Sequence, residues 1–114
     1  MTEQAFFILT ALVDGPSHGY GIVGQVDQLS EGRVKLRVGT LYGVLDRLVA
    51  EGLVEADHDE VHQGRLRRYY RLTDGGAAAL AEEAERQAAN ARVASERLSH
   101  RTQPSRPAGA GGVA

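Results

Sequence analysis

Residues 38–72 read VGTLYGVLDRLVAEGLVEADHDEVHQGRLRRYYRL, and the hydrophobic period changes inside this stretch. In its first part Leu41, Leu45 and Leu48 fall on one stripe with Val44 beside them, the spacing of a helix. At ~100° per residue the opposite face carries Gly39, Gly43, Asp46 and Ala50, flanked by Tyr42 and Arg47. The spacing predicts a helix over about Val38–Glu51, stopped by Gly52. Beyond Gly52 the period falls to about 2. Leu53–His58 and Leu66–Leu72 read as two strands of a hairpin joined around Glu60–Gly64. In the second strand Leu66, Arg68, Tyr70 and Leu72 share one face, and Arg65, Arg67, Tyr69 and Arg71 share the other.

Upstream, Glu3–Val13 reads as a helix, with Phe6, Leu9 and Val13 at helical spacing and Phe7, Ile8 and Leu12 widening its apolar face. Asp14-Gly15-Pro16 ends it. Ser17 or His18 opens a second helix over about Gly19–Leu29, with Tyr20, Ile22, Val23, Val26 and Leu29 as its apolar set, broken by Ser30-Glu31-Gly32. Arg33–Arg37 alternates enough for a small strand or an extended loop. Downstream, Thr73-Asp74-Gly75-Gly76 starts a long Ala-rich helix over about Gly76–His100. Its seam of Leu80, Ala84, Ala88, Ala91 and Leu98 is thin for folding back on a core, and small enough for close approach to another helix. Residues 101–114, with Pro104 and Pro107, read as a disordered tail.

The chain has 114 residues, enough for one modest core. It has no cysteine, which excludes disulfides, thiolate metal sites and cysteine nucleophiles. The longest apolar run, Ala5–Val13, is broken by Thr10 and is far shorter than the ~18–20 residues of a membrane span. It is not expected to be a signal peptide, since Glu3 stands where one carries positive charge. A cytoplasmic protein is expected. The net charge is −2, which by itself argues against a polyanionic partner. The distribution argues the reverse. Residues 33–47 hold Arg33, Lys35, Arg37 and Arg47 against Asp46 alone, and residues 61–73 hold Arg65, Arg67, Arg68 and Arg71 against no acid.

Three helices, a tight break between the second and third, then a hairpin is the order of a winged helix-turn-helix. The expected fold is mainly α with a small β-hairpin, completed by a long C-terminal dimerisation helix. The domain reading is 1–75 for the winged helix-turn-helix, 76–100 for the dimerisation helix and 101–114 for the tail. The third helix would enter the major groove, where bare Gly39 and Gly43 let its backbone come close. Thr40, Tyr42 and Arg47 are the candidates for base contact. Lys35, Arg37, Arg65, Arg67 and Arg68 suit phosphate, with Arg68 the weakest because strand alternation aims it at the core side. His18 and Tyr20, at the start of the second helix, are further phosphate candidates.

At these residues the sequence resembles the PadR family of bacterial transcriptional regulators. The resemblance rests on Ser17-His18-Gly19-Tyr20-Gly21-Ile22, on Gly39-Thr40-Leu41-Tyr42 with Leu45, Arg47 and Leu48, on Glu51-Gly52-Leu53-Val54-Glu55, and on Arg68-Tyr69-Tyr70-Arg71-Leu72-Thr73 with Gly75 or Gly76. It implies a homodimeric winged-helix repressor of the short subfamily, paired through a single C-terminal helix and bound to double-stranded DNA. A two-fold dimer reads an inverted repeat, with its two third helices ~34 Å apart. Small residues on the dimer helix leave room for a small-molecule effector, with Phe6, Phe7, Leu80, Ala84, Ala88 and Ala91 as candidate lining. The competing reading is a winged-helix protein-interaction module without specific DNA binding.

Catalysis has little inventory here. Ser17-His18 lacks a positioned acid and reads as a helix cap. His58-Asp59-Glu60-Val61-His62 has donor atoms for a metal, but its spacing is not H-E-x-x-H and it sits at a hairpin tip, so no metal is expected. Asp74-Gly75-Gly76 lacks the spacing of a phosphate loop. No cofactor is expected.

Overall fold

The computed structural model describes residues 1–102. Its elements are α1 (Glu3–Ala11), β1 (Ser17–His18), α2 (Gly19–Leu29), α3 (Val38–Ala50), β2 (Val54–His62), β3 (Arg65–Leu72) and α4 (Asp74–Thr102). By compactness the chain divides into a first unit, residues 1–83, and a second unit from residue 84 onward. α4 supplies the end of the first and all the described residues of the second. The disordered tail expected over 101–114 falls outside the described residues from 103 onward, and 101–102 belong to the last turn of α4.

The first unit is built on the stripe of α3. Leu41, Leu45 and Leu48 are buried with Val44 against Ile8, Leu9, Leu12, Ile22 and Val26. Each such side chain contributes roughly 1.5–3 kcal/mol by leaving water, so this stripe sets how α3 is oriented. α1 differs from expectation. Its buried residues are Ala5, Ile8, Leu9 and Ala11, with Leu12 at its end, whereas Val13 is exposed and Phe6 half-buried. The helix stops at Ala11, so Val13 falls outside the helical register. In α2, Ile22 and Val26 are buried, while Tyr20 and Leu29 point to solvent. The Arg33–Arg37 segment is an extended loop. Its alternation buries Val34 and Leu36 and exposes Arg33, Lys35 and Arg37.

Helix ends follow local chemistry. α3 stops at Gly52 (φ +77°), where Gly52 N–H donates to Val49 C=O and Leu53 N–H to Leu48 C=O, both at 3.0 Å. α2 stops the same way, with Glu31 N–H on Gln28 C=O and Gly32 N–H on Asp27 C=O. There the first left-handed residue is Glu31, at φ +55°, followed by Gly32 at φ +81°. Glycine adopts that conformation without a Cβ penalty. Glu31→Gly is expected to stabilise the unit by about 0.5–1 kcal/mol in urea denaturation. A loss of stability would show that the Glu31 side chain matters more than its backbone strain.

The sheet has three antiparallel strands in the order β1-β3-β2. β1 is a two-residue strand, Ser17↔Tyr70 and His18↔Tyr69, laid along the hairpin before α2 begins. The hairpin is longer than the sequence predicts. Pairing runs to His62↔Arg65, and the turn is the two residues Gln63 (φ +52°) and Gly64 (φ +78°) in place of Glu60–Gly64. Two positive φ values make a tight turn whose twist suits the strands. A register irregularity between Ala56 and His58 leaves Asp57 as the extra residue. Among the described residues the base of the hairpin is covered and its tip is not: Tyr70 is buried and Leu72 half-buried, while Leu66 and Val61 are exposed.

α4 begins where these parts meet. Thr73 N–H donates to Leu53 C=O at 3.1 Å, Thr73 Oγ1 donates to Gly52 C=O at 2.7 Å, and Gly76 N–H donates to Thr73 Oγ1 at 2.9 Å. Thr73 therefore caps α4 and ties it to the end of α3. Leu80 packs on the core of the first unit, and Glu83 is buried. In the second unit Ala84, Ala88, Ala91 and Leu98 are exposed. No helix among the described residues is long and apolar enough to cross a membrane.

Candidate nucleic-acid interface

α3 presents Gly39, Thr40, Tyr42, Gly43, Asp46 and Arg47 to solvent. A Cβ placed on Gly39 or Gly43 would meet nothing within 4 Å, so this face is bare helix backbone. Tyr42 leans toward the start of α2. A Cβ on Gly19 would lie 2.6 Å from the Tyr42 hydroxyl, so glycine at 19 makes room for that ring.

Beside α3 an open cleft of about 230 Å³ is lined by His18, Gly19, Tyr20, Tyr42, His62, Gln63 and Arg65–Arg68. It gathers six of the candidates from the sequence: His18, Tyr20, Tyr42, Arg65, Arg67 and Arg68. Gly39, Thr40 and Arg47 stand on α3, and Lys35 and Arg37 on the loop before it. Gly19, His62, Gln63 and Leu66 were missed. The signal for His62 and Gln63 was present, because Gln-Gly before a basic strand reads equally well as a two-residue turn. None of Phe6, Phe7, Leu80, Ala84, Ala88 and Ala91 lines this cleft. Phe6 and Phe7 meet edge to face, 5.4 Å between centroids, and Phe7 packs on the core.

Strand pairing sorts the basic residues. Arg68 donates from Nε to Asp59 Oδ1 at 3.2 Å. It is exposed, in place of the core-facing position that alternation predicts, because the core of the described residues does not reach the distal hairpin, where Leu66 is exposed as well. Arg71 pairs with Glu55 and, at 3.6 Å, with Asp57. Lys35 pairs with Asp27 at 3.0 Å. Such exposed pairs contribute little to stability, but they offset the charge that a phosphate would feel. Among the described residues, Arg37, Arg47, Arg65 and Arg67 have no carboxylate within ion-pair distance.

Two histidines are held in opposite ways. His58 lies between Asp57 Oδ2 (2.5 Å) and Glu60 Oε2 (2.7 Å) and stacks on Tyr69, 4.5 Å between centroids. The hydrogen bond to Asp57, then that to Glu60, raises its pKa above the ordinary 6.5. His18 is pushed below 6.5, first by burial, then by Arg67 and His62, with Glu60 opposing. In an NMR titration His58 is expected to lose its proton at higher pH than His18. Protonated His58 stabilises the hairpin below its ordinary pKa, and that contribution disappears as pH rises through the raised value. Neutral His18 contributes above its ordinary pKa and ceases to as pH falls through the lowered value. The opposite order of titration would contradict both environments.

A three-helix unit with an open third helix beside an arginine-bearing hairpin is a winged helix-turn-helix. The chain belongs to the transcriptional regulator PadR-like family, whose model matches residues 8–82. It is 40% identical over 76 residues to Transcriptional regulator Rv3488 of Mycobacterium tuberculosis, covering 67% of each chain. Its fold is similar to that of a PadR family transcription regulator from Clostridium difficile R20291, with TM-score 0.70, 24% identity, and coverage of 85% of this chain and 99% of that one. It also resembles Bacillus subtilis PadR in complex with operator DNA, with TM-score 0.63, 23% identity, and coverage of 72% and 46%.

Proposed function

We propose that the chain is a homodimeric, sequence-specific DNA-binding regulator, a repressor released by a small-molecule effector. The observation that carries this reading is the bare Gly39–Gly43 face of α3 lying outward on the same unit as two wing arginines that have no carboxylate partner among the described residues. A major groove accepts such a helix, and the wing arginines suit the neighbouring phosphates. The operator complex of the B. subtilis relative supports the same class of partner.

Within this reading, Thr40, Tyr42 and Arg47 read bases on an inverted repeat. Arg37, Arg65 and Arg67 hold phosphate, and Lys35 and Arg68 do so only by giving up Asp27 and Asp59. Residues 1–75 form the DNA-binding module and 76–100 the dimerisation helix. Ala84, Ala88, Ala91 and Leu98 form the pairing seam, with Leu80 shared with the core. Effector release through this dimer belongs to the same proposal.

The test is affinity for the DNA upstream of the protein's own gene and for a scrambled duplex, over a salt series. Arg65→Ala should weaken both duplexes alike and lower the salt slope by about 0.9 per protomer. Arg68→Ala should change the slope far less. A wild-type chain without salt-dependent affinity would instead favour a protein-interaction module.

A further inference from the structure

His18 carries out two tasks with one imidazole. As N-cap of α2 it accepts the Gly21 N–H on Nδ1 at 3.4 Å. A neutral ring has one proton, so this cap places it on Nε2 and makes Nε2–H a donor. Arg67 Nη1 lies 3.4 Å from that Nε2. A guanidinium has donors and no acceptor. In that tautomer two donors face each other, and neither satisfies the other. Among the described residues no carboxylate lies within ion-pair distance of Arg67. Both groups line the same open cleft.

The surroundings hold this pair in place. His18 stands opposite Tyr69 in the β1–β3 register, and their rings meet edge to face at 5.2 Å. Tyr69 stacks in turn on His58, which two carboxylates anchor. The donor pair is thus fixed by strand pairing, a helix cap and a ring stack, all set before any ligand arrives.

We propose that His18 Nε2–H and Arg67 converge on one phosphodiester of the DNA backbone, His18 as a neutral donor and Arg67 as the charge. The proposal rests on the regulator reading above and adds how one phosphate is held. An unesterified phosphate oxygen is an acceptor that both groups lack, and the guanidinium supplies the opposite charge. The neutral imidazole matters because protonating Nδ1 would end the cap.

The test has two arms on the full chain. Long-range proton–nitrogen NMR of the imidazoles is expected to show His18 with Nδ1 unprotonated and Nε2 protonated; the other tautomer overturns the proposal. The second arm measures affinity of the wild type, His18→Asn, Arg67→Gln and the double variant for upstream and scrambled duplexes over a salt series. Asparagine keeps an N-cap acceptor without the reach of Nε2–H. His18→Asn should weaken both duplexes about tenfold with an unchanged salt slope. Arg67→Gln should lower the slope by about 0.9 per protomer. With a shared phosphate, the double variant loses much less than the product of the single losses. Independent, multiplying losses overturn the shared seat while leaving DNA binding intact. A wild type with no affinity for either duplex overturns the regulator reading, and the seat with it. His18→Ser, another capping residue, repeats the comparison if the asparagine variant folds poorly.

Discussion

Gly76→Ala is expected to destabilise the first unit by about 3 kcal/mol or more, a loss on the scale of severe overpacking. Helix propensity points the other way, because alanine in a helix gains up to about 1 kcal/mol over glycine. The tertiary contact decides the sign. A Cβ on Gly76 would overlap the Leu53 carbonyl oxygen and lie 2.8 Å from Leu72 Cδ1. The oxygen is main chain at the start of β2, and the Thr73 N–H already bonds to it. Relief requires the first turn of α4 to move off the sheet, opening the Thr73 cap and its bond to Gly52. Gly75→Ala is the control. Its nearest neighbour would be the Gly52 carbonyl oxygen at 3.5 Å, an ordinary contact, so it should be neutral or stabilising. Urea denaturation followed by circular dichroism measures both variants. Equal midpoints would mean that α4 is not seated on Leu53 as described.

Gly43→Glu is expected to leave folding intact and to remove operator binding. Nothing lies within 4 Å of a Cβ at this position, and the helix gains propensity. If α3 lies in the major groove, however, the new carboxylate meets the polyanion at closest approach. Losing one good base contact costs about 1–3 kcal/mol, and a dimer loses it twice. The expected drop in affinity is therefore ~10²–10⁴-fold, with thermal stability equal to or above wild type. Gly43→Ala separates bulk from charge: it should stabilise the fold while still weakening the operator complex. A Gly43→Glu chain that binds its operator like wild type would place α3 outside the groove.

The helices were legible in the sequence because helical periodicity is a local property. The stripe Leu41, Val44, Leu45 and Leu48 names the buried side of α3, and the bare Gly39–Gly43 side follows from geometry alone. Gly52 as a stop and Thr73 beside the start of α4 are likewise local chemistry. The same reading failed at α1, where the helix ends at Ala11 and Val13 therefore falls off the stripe. It also failed at the hairpin tip, where Gln63 takes a positive φ without being a usual residue for it.

The site divides in the same way. That residues 61–73 are basic was plain from the sequence, but which arginines remain available to a ligand was not. The β2–β3 register sets Asp59 opposite Arg68 and Glu55 opposite Arg71, and the extra residue Asp57 adds a second acid to Arg71. Among the described residues Arg65 and Arg67 are left without such partners. The pairing of His18 with Arg67, 49 positions apart, needs β1 to lie along β3. The sequence by itself determined the three helices, the existence of a wing and its basic character, because each depends on neighbours within a few residues. Only the tertiary structure decided which basic groups face the cleft without a carboxylate partner among the described residues and which glycine the fold cannot replace. Those outcomes depend on cross-strand register and on the contact between Gly76 and Leu53, and neither is encoded in any local spacing.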